Sequence, residues 1–137
     1  MIKGDAIIQK VLEHYPDAQA VYLFGTYGTE DERPESDADI ALLLLPGESV
    51  KAASLAMSEL RFALESLLNR DVDLINLRQV STVLQKEVIA ADLRIYTGDE
   101  YAADEFEMLT LSRYQKLNEE RAEIVEEALA GGRFHQV

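Results

Sequence analysis

Residues Gly25 to Leu45 read GTYGTEDERPESDADIALLLL, and the order of features in this stretch decides the architecture. It follows an apolar run, Val21 to Phe24 (VYLF), with the character of a strand. Gly25 and Thr26 come next, then ten polar, turn-prone residues, Tyr27 to Ser36, with Gly28 and Pro34 among them. Asp37-Ala38-Asp39 then runs directly into the apolar Ile40 to Leu45. Side chains alternate faces along a strand, so Asp37 and Asp39 point the same way. Two carboxylates therefore stand together at the mouth of an apolar strand, where an uncompensated charge is expensive to bury. No Lys or Arg lies within the strand to pair with them. A divalent cation answers that need, and oxygen-only donors select Mg²⁺ or a similarly hard ion. The glycine end supplies the complement. Gly25 allows a sharp turn and close approach to a ligand, Thr26 adds a hydroxyl, and a helical turn begun there would favour phosphate oxygens at its N-terminus. A phosphate cradle followed by a metal-binding carboxylate pair is the layout that phosphoryl or nucleotidyl transfer requires.

Gly25-Thr26, ten residues, then Asp37-Ala38-Asp39 resembles the G-[S/T]-x10-D-x-D signature of the DNA polymerase β-like nucleotidyltransferases. The short chain and the later VDLINL, Val72 to Leu77, resemble the minimal nucleotidyltransferase subgroup, the MntA-type antitoxins paired with HEPN-domain toxins. The resemblance covers Val21 to Leu77 and reaches the remainder more loosely. It implies a polymerase β-like α/β fold, with a small mixed sheet and packed helices. It also implies ATP as substrate and Mg²⁺ (with Mn²⁺ able to replace it) as cofactor. By the same resemblance Gly25 and Thr26 hold the triphosphate, while Asp37, Asp39 and Asp73 bind metal and carry the catalysis, Asp73 accepting a proton. The implied acceptor is a tyrosine hydroxyl of a HEPN-type ribonuclease toxin, held in a hetero-oligomer and inactivated by the AMP it receives. The sequence departs from the subgroup where Gly28-Thr29-Glu30 replaces the more usual Ala-Arg-Gly, which removes a basic residue from the loop. Ala38 replaces the commoner isoleucine and Thr26 the commoner serine, both mild changes. Two other classes stay open: an antitoxin of weak catalytic power that neutralises by binding, and a small-molecule nucleotidyltransferase of the antibiotic-modifying kind.

At 137 residues the chain makes one domain with a real core and is too short for two. Its 47% hydrophobic and 28% charged shares are those of an ordinary globular protein. No window approaches the roughly 18 apolar residues of a membrane span, the N-terminus lacks a signal-peptide pattern, and a cytoplasmic location is expected. The absence of cysteine excludes disulfides and thiolate metal sites. A net charge of −13 repels a polyanionic backbone, and the 13 basic residues are scattered, so direct nucleic-acid binding is not expected. Free nucleotide with its metal remains acceptable, and a basic protein partner would be steered in.

The rest of the chain reads as alternating helices and strands. Asp5 is placed to cap a first helix that ends near His14, and His14 reads as a surface residue at that helix end. Strand one covers Ala20 to Phe24. The acidic loop Thr29 to Glu35 reads as solvated. Strand two, Asp37 to Leu45, stops at the Pro46-Gly47 turn signal. Ser49 then caps a helix over Val50 to Asn69, whose stripe Ala53, Ala56, Met57, Leu60, Ala63, Leu64, Leu67 and Leu68 is core. Strand three, Val72 to Leu77, holds Asp73 among aliphatic neighbours; on its own residues Asp73 serves either function or the protection of a sheet edge. A helix over Val80 to Ala91 and a strand over Leu93 to Tyr96 follow. Asp99 caps a long segment ending at Gly131-Gly132, beyond which a mobile tail is expected. In that segment (99–130) the apolar positions change face. Ala102, Phe106, Met108 and Leu109 lie in the first half, and Tyr114, Leu117, Ile124, Val125 and Ala128 in the second. A kink, two helices or burial against two bodies would each produce the shift, and the second stripe is expected to face a partner.

Overall fold

The structure, a computed structural model, describes residues 3–27, 29–33, 35–51 and 55–135, with the side chains of 50, 51, 55, 56 and 127–135 excepted. Helix α1 (Gly4–His14) leads into strand β1 (Ala20–Phe24), the loop already quoted, and strand β2 (Ala38–Leu43). Helices α2 (Pro46–Lys51) and α3 (Leu55–Leu68) precede strand β3 (Val72–Asn76) and a short 3₁₀ turn (Leu77–Gln79). Helix α4 (Thr82–Ala90), strand β4 (Arg94–Thr97) and helix α5 (Glu100–His135) complete the chain. The four strands lie in the order β3-β2-β1-β4. The β2–β3 pair is parallel and both pairs made by β1 are antiparallel, so the sheet is mixed, as expected.

The alternation of side chains divides the core between the two faces of the sheet. Val21, Leu23, Ile40, Leu42 and Leu44 pack with Ile7 and Val11 of α1 and with Leu60, Leu64 and Leu68 of α3. Ala20, Tyr22, Ala41 and Leu43 face the other way, against Leu77, Val88 of α4, and Ala103 and Phe106 of α5. Helix α5 is fixed there by polar contacts as well. The Tyr22 hydroxyl donates to Glu107 Oε2 (2.7 Å), Arg94 Nη1 donates to the same oxygen (2.8 Å), and Arg94 Nη2 reaches Asp104 (3.1 Å).

Several boundaries differ from those read in the sequence. Asp5 lies inside the first turn of α1, where its charge suits the helix dipole, and gives no side-chain cap. His14 ends that helix as expected, with Nδ1 3.2 Å from the Lys10 carbonyl. Pro46 does not close a turn. It opens the six-residue α2, since proline is well suited to a first helical turn. Ser49 therefore lies within a helix, and its hydroxyl donates to Asn76 Oδ1 (2.8 Å). The expected helix over 50–69 is represented by α3 from Leu55. Within its stripe Met57, Ala63 and Leu67 are half-buried and Leu60, Leu64 and Leu68 buried, whereas Ala53 and the Ala56 side chain lie outside the described residues. Strand three ends at Asn76, and Leu77 starts the 3₁₀ turn. The true cap of α4 is Ser81, whose hydroxyl accepts from the Leu84 amide (3.2 Å).

Asp99 caps α5 as expected, accepting from the Ala102 amide (3.0 Å). The helix then continues through Gly131 and Gly132 to His135 as one element, so neither the glycine stop nor two separate helices is found. A glycine costs a helix only about 1 kcal/mol relative to alanine, which weakens a helix without ending it. In its first half Ala103 and Phe106 are buried, while Met108 and Leu109 face solvent. Among the described residues no helix is long and apolar enough to cross a membrane.

Candidate active site

The site is built where three strands end together. In the antiparallel pairing Asp39 of β2 stands opposite Phe24, the last residue of β1, and Gly25 follows immediately. In the parallel pairing Asp39 stands abreast of Asp73 of β3. Asp37 lies two residues before Asp39, just outside β2 rather than opening it as expected, and near enough for its charge to act on Asp39. The sheet register thus brings Gly25, Asp39 and Asp73 side by side across three neighbouring strands, with Asp37 just beyond. Asp37 and Asp73 are exposed and Asp39 is half-buried. Asp73, between Val72 and Leu74, is exposed on β3, an edge strand of the sheet.

Gly25 is required here on two counts. Its φ of +70° is left-handed, a conformation that costs any residue with a Cβ. A Cβ built there would also overlap Asp39 Oδ2 and stand 3.1 Å from its Cγ. The Asp39 carboxylate therefore rests directly on the Gly25 backbone. Gly25→Ala is expected to destabilise the fold by about 1–2 kcal/mol from the backbone alone. Because Asp39 must also move, it should lower any chemistry at this carboxylate by about 10²-fold. A thermal melt and an activity assay on the same sample check both.

The electrostatics single out Asp39. Partial burial, and then the negative charges of Asp73 and Asp37, raise its carboxyl above the ordinary range. No basic side chain is paired with any of the three among the described residues. Nor do three or more His, Asp or Glu side chains already form a cage for an ion among those residues. The donor set fits a hard divalent ion: all-oxygen, anionic, at one sheet end, with Asp39 destabilised in its charged form by what surrounds it.

Thr26 is exposed, and its carbonyl accepts from the Thr29 amide (3.0 Å) and the Thr29 hydroxyl (2.6 Å), closing a tight turn after Gly25. Within the acidic loop, Glu30, Asp31 and Glu35 are solvated as expected. Glu32 is not. It pairs with Arg70, a residue the sequence alone gave no reason to single out. A separate cavity of roughly 500 Å³, lined by Gln19, Arg78, Gln85 and Phe106 among others, belongs to the far end of β2, where Arg78 Nε donates to the Leu44 carbonyl (2.7 Å). It is not part of the carboxylate site.

A glycine turn, a carboxylate pair at the start of the next strand and a third carboxylate beside it make an arrangement suited to nucleotidyl transfer. Residues 7–101 match the family model described as polymerase beta, nucleotidyltransferase, and the chain belongs to that family. It is 35% identical over 129 residues to the protein adenylyltransferase MntA of Shewanella oneidensis, covering 94% of this chain and 89% of that one. Among solved structures it is similar to a toxin–antitoxin crystal structure with AMP-PNP. The TM-score there is 0.76 at 33% identity, covering 93% of this chain and 99% of the other. It is also similar to the complex of a tri-AMPylated Shewanella oneidensis HEPN toxin with its MNT antitoxin, at a TM-score of 0.69 and 33% identity over 92% of this chain and 95% of the other.

Proposed function

We propose that this nucleotidyltransferase is a cytoplasmic protein adenylyltransferase of the antitoxin kind, using ATP and Mg²⁺ to place AMP on a tyrosine hydroxyl of a HEPN-type ribonuclease toxin. The observation that carries this reading is the seating of Asp39 on Gly25 with Asp73 abreast of it. That arrangement joins the end that would hold phosphate to the carboxylates that would hold metal. Likeness to the adenylyltransferase MntA and to an AMPylated toxin complex supports the choice of AMP and of a protein acceptor. The AMP-PNP structure supports a nucleotide substrate.

Asp37, Asp39 and Asp73 would hold the divalent ion, which when bound offsets the charge on the phosphates. Gly25 and Thr26 present backbone amides and a hydroxyl to the triphosphate. The acceptor oxygen attacks the α-phosphorus, forming the new P–O bond as the α–β anhydride bond breaks and pyrophosphate leaves. The hydroxyl proton passes to Asp73. Exposure of Asp73 on the outer strand leaves room for a side chain carried by a second protein. The chain acts as a single domain, and the distal part of α5 faces that partner.

The test is incubation of the purified chain with its toxin, ATP and Mg²⁺, followed by intact mass measurement. The toxin should gain at least one AMP unit. No gain with wild-type protein, alongside a stable complex, would favour neutralisation by binding alone. Asp73→Asn should keep the melt and most of the nucleotide affinity while transfer falls by roughly 10²-fold or more. Transfer at the wild-type rate would remove Asp73 from the mechanism.

A further inference from the structure

We propose that Arg70 is a positioning residue for this site: it clamps the loop joining Gly25-Thr26 to Asp37, so that the phosphate end and the carboxylate end hold one relative geometry. The inference rests on the nucleotidyl-transfer reading. Its starting point is the turn between α3 and β3. Asn69 adopts φ +54°, which ends α3, and its amide still donates to the Glu65 carbonyl (2.8 Å). The Val72 amide donates to the Glu65 carboxylate (3.0 Å), and the Asp71 carbonyl accepts from the Ala38 amide at the start of β2 (2.9 Å). Both sides of Arg70 are thereby pinned, and its side chain is delivered across the mouth of β2.

There both terminal nitrogens of the guanidinium are committed to the loop, while Nε is buried with no hydrogen-bond partner among the described residues. Nη1 donates to the carbonyls of Arg33 (3.3 Å) and Ser36 (3.1 Å), and Nη2 to Glu32 Oε2 (3.2 Å). Its Cζ stands 4.8 Å from the centroid of the Tyr27 ring, over its face; Tyr27 is 3% exposed and directly follows Thr26. One side chain therefore touches both ends of the loop: the residue after Gly25-Thr26 and the residue before Asp37. The pair with Glu32 is partly buried, at 16% and 23% side-chain exposure, and so is less screened than a surface ion pair. Lysine could match the charge but not the two carbonyl bonds and the stacking together.

Among the described residues the bonds Thr29 to Thr26, Asp31 to Thr29 and Ser36 to Arg33 are local and close small turns, whereas Arg70 reaches the loop from another element. Glu30, Asp31, Glu32 and Glu35 repel one another and the aspartate that follows. With Nη1 spent on carbonyls and Nη2 on a carboxylate, Arg70 is turned toward the loop rather than toward a phosphate. Its influence on the reaction therefore passes through the residues it holds. A displacement of about 1 Å in such residues is felt as roughly 10²-fold in rate.

The experiment compares Arg70→Met, Arg70→Lys and Tyr27→Leu in the full chain. Calorimetry measures the affinity for Mg²⁺ with AMP-PNP, initial rates separate KM for ATP from kcat, and thermal melts are run in parallel. Arg70→Met should weaken binding of the analogue by about 10-fold and lower kcat/KM by about 10–10²-fold, the scale seen when groups that orient ligands are lost. Arg70→Lys should restore only part of this, and Tyr27→Leu should fall between the two. A folded Arg70→Met protein with wild-type affinity and wild-type KM overturns the proposal, as does a melt that falls while the kinetics hold. Should Arg70→Met fail to fold, Arg70→Lys and Tyr27→Leu decide by the same two readouts. Wild-type protein that binds the analogue but transfers nothing would sink the transfer reading, and the ratio of affinities would still decide the role of Arg70.

Discussion

Asp39→Asn should lower AMP transfer by about 10³-fold, the scale on which a positioned charge-stabilising group is missed, while raising the thermal stability of the metal-free protein at neutral pH. The two effects have one cause. Burial first, then Asp73 and Asp37, hold the Asp39 carboxyl above its ordinary value in the folded chain. A raised acid binds its proton more tightly folded than unfolded, so its contribution favours folding below the ordinary carboxylate range. That contribution is lost as pH rises through the raised value. At neutral pH the wild-type protein therefore carries an ionised group that its own fold disfavours, and the neutral amide removes the penalty. Melts in chelator should show the variant above wild type near pH 7 and the difference closing as pH falls below the ordinary aspartate value, toward about pH 3, where Asp39 is largely protonated folded or unfolded. Added Mg²⁺ should raise the wild-type melt and leave the variant nearly unmoved. Undiminished transfer by Asp39→Asn would show that the half-buried carboxylate is not at the centre of the chemistry. A lower melt for the variant in chelator would show that the charge is compensated by something other than metal.

The carboxylates were legible because they break a pattern. Asp39 and Asp73 interrupt apolar strands where nothing in packing asks for charge, Asp37 directly precedes the first of those strands, and the ten-residue spacing to Gly25-Thr26 marked the first pair as candidates. What put Asp73 abreast of Asp39 was the parallel register of β2 and β3, a pairing across separated segments that alternation within one strand cannot specify. The need for glycine at 25 was likewise legible in kind but not in cause, since the carboxylate that occupies the space of its Cβ arrives from β2. Arg70 was invisible for the same reason. It is one charged residue in a turn, and its partners Glu32, Arg33 and Ser36 lie 34 to 38 positions away. Local signals misled where tertiary bonds were stronger. Ser49 has the composition of a cap but gives its hydroxyl to Asn76, and Ser81 caps the helix it precedes.

Leu117→Asp with Ile124→Asp should weaken the complex with the toxin by at least about 10²-fold while leaving the melt of the isolated chain within a few degrees of wild type, as expected for one exposed and one half-buried position outside the buried core. Among the described side chains of α5 the buried ones end at Thr110, and beyond it only Tyr114 and Leu117 are even half-buried; the Ala128 side chain, expected in the same stripe, lies outside the described residues. Tyr114 is accounted for within the domain, because Lys86 of α4 stands 5.1 Å over its ring. From Asn118 to Glu126 every residue is exposed, including Ile124 at 63% and Val125 at 56%. A helix of 36 residues is about 54 Å long, far more than this small sheet can cover. Its distal part therefore projects from the domain with an apolar pair among Glu119, Glu120, Glu123 and Glu126. The acids keep the projecting helix soluble and would speed association with a basic partner more than they would tighten the complex. Helical anchors three and four residues apart suit docking against another helical protein, and spacings such as that of Leu117 to Ile124 fit this mode. Size-exclusion and calorimetric titration with the toxin, beside a melt of the free variant, separate the outcomes. Unfolding of the double variant would assign Leu117 and Ile124 to this domain's own core, and full affinity in a folded variant would move the interface elsewhere.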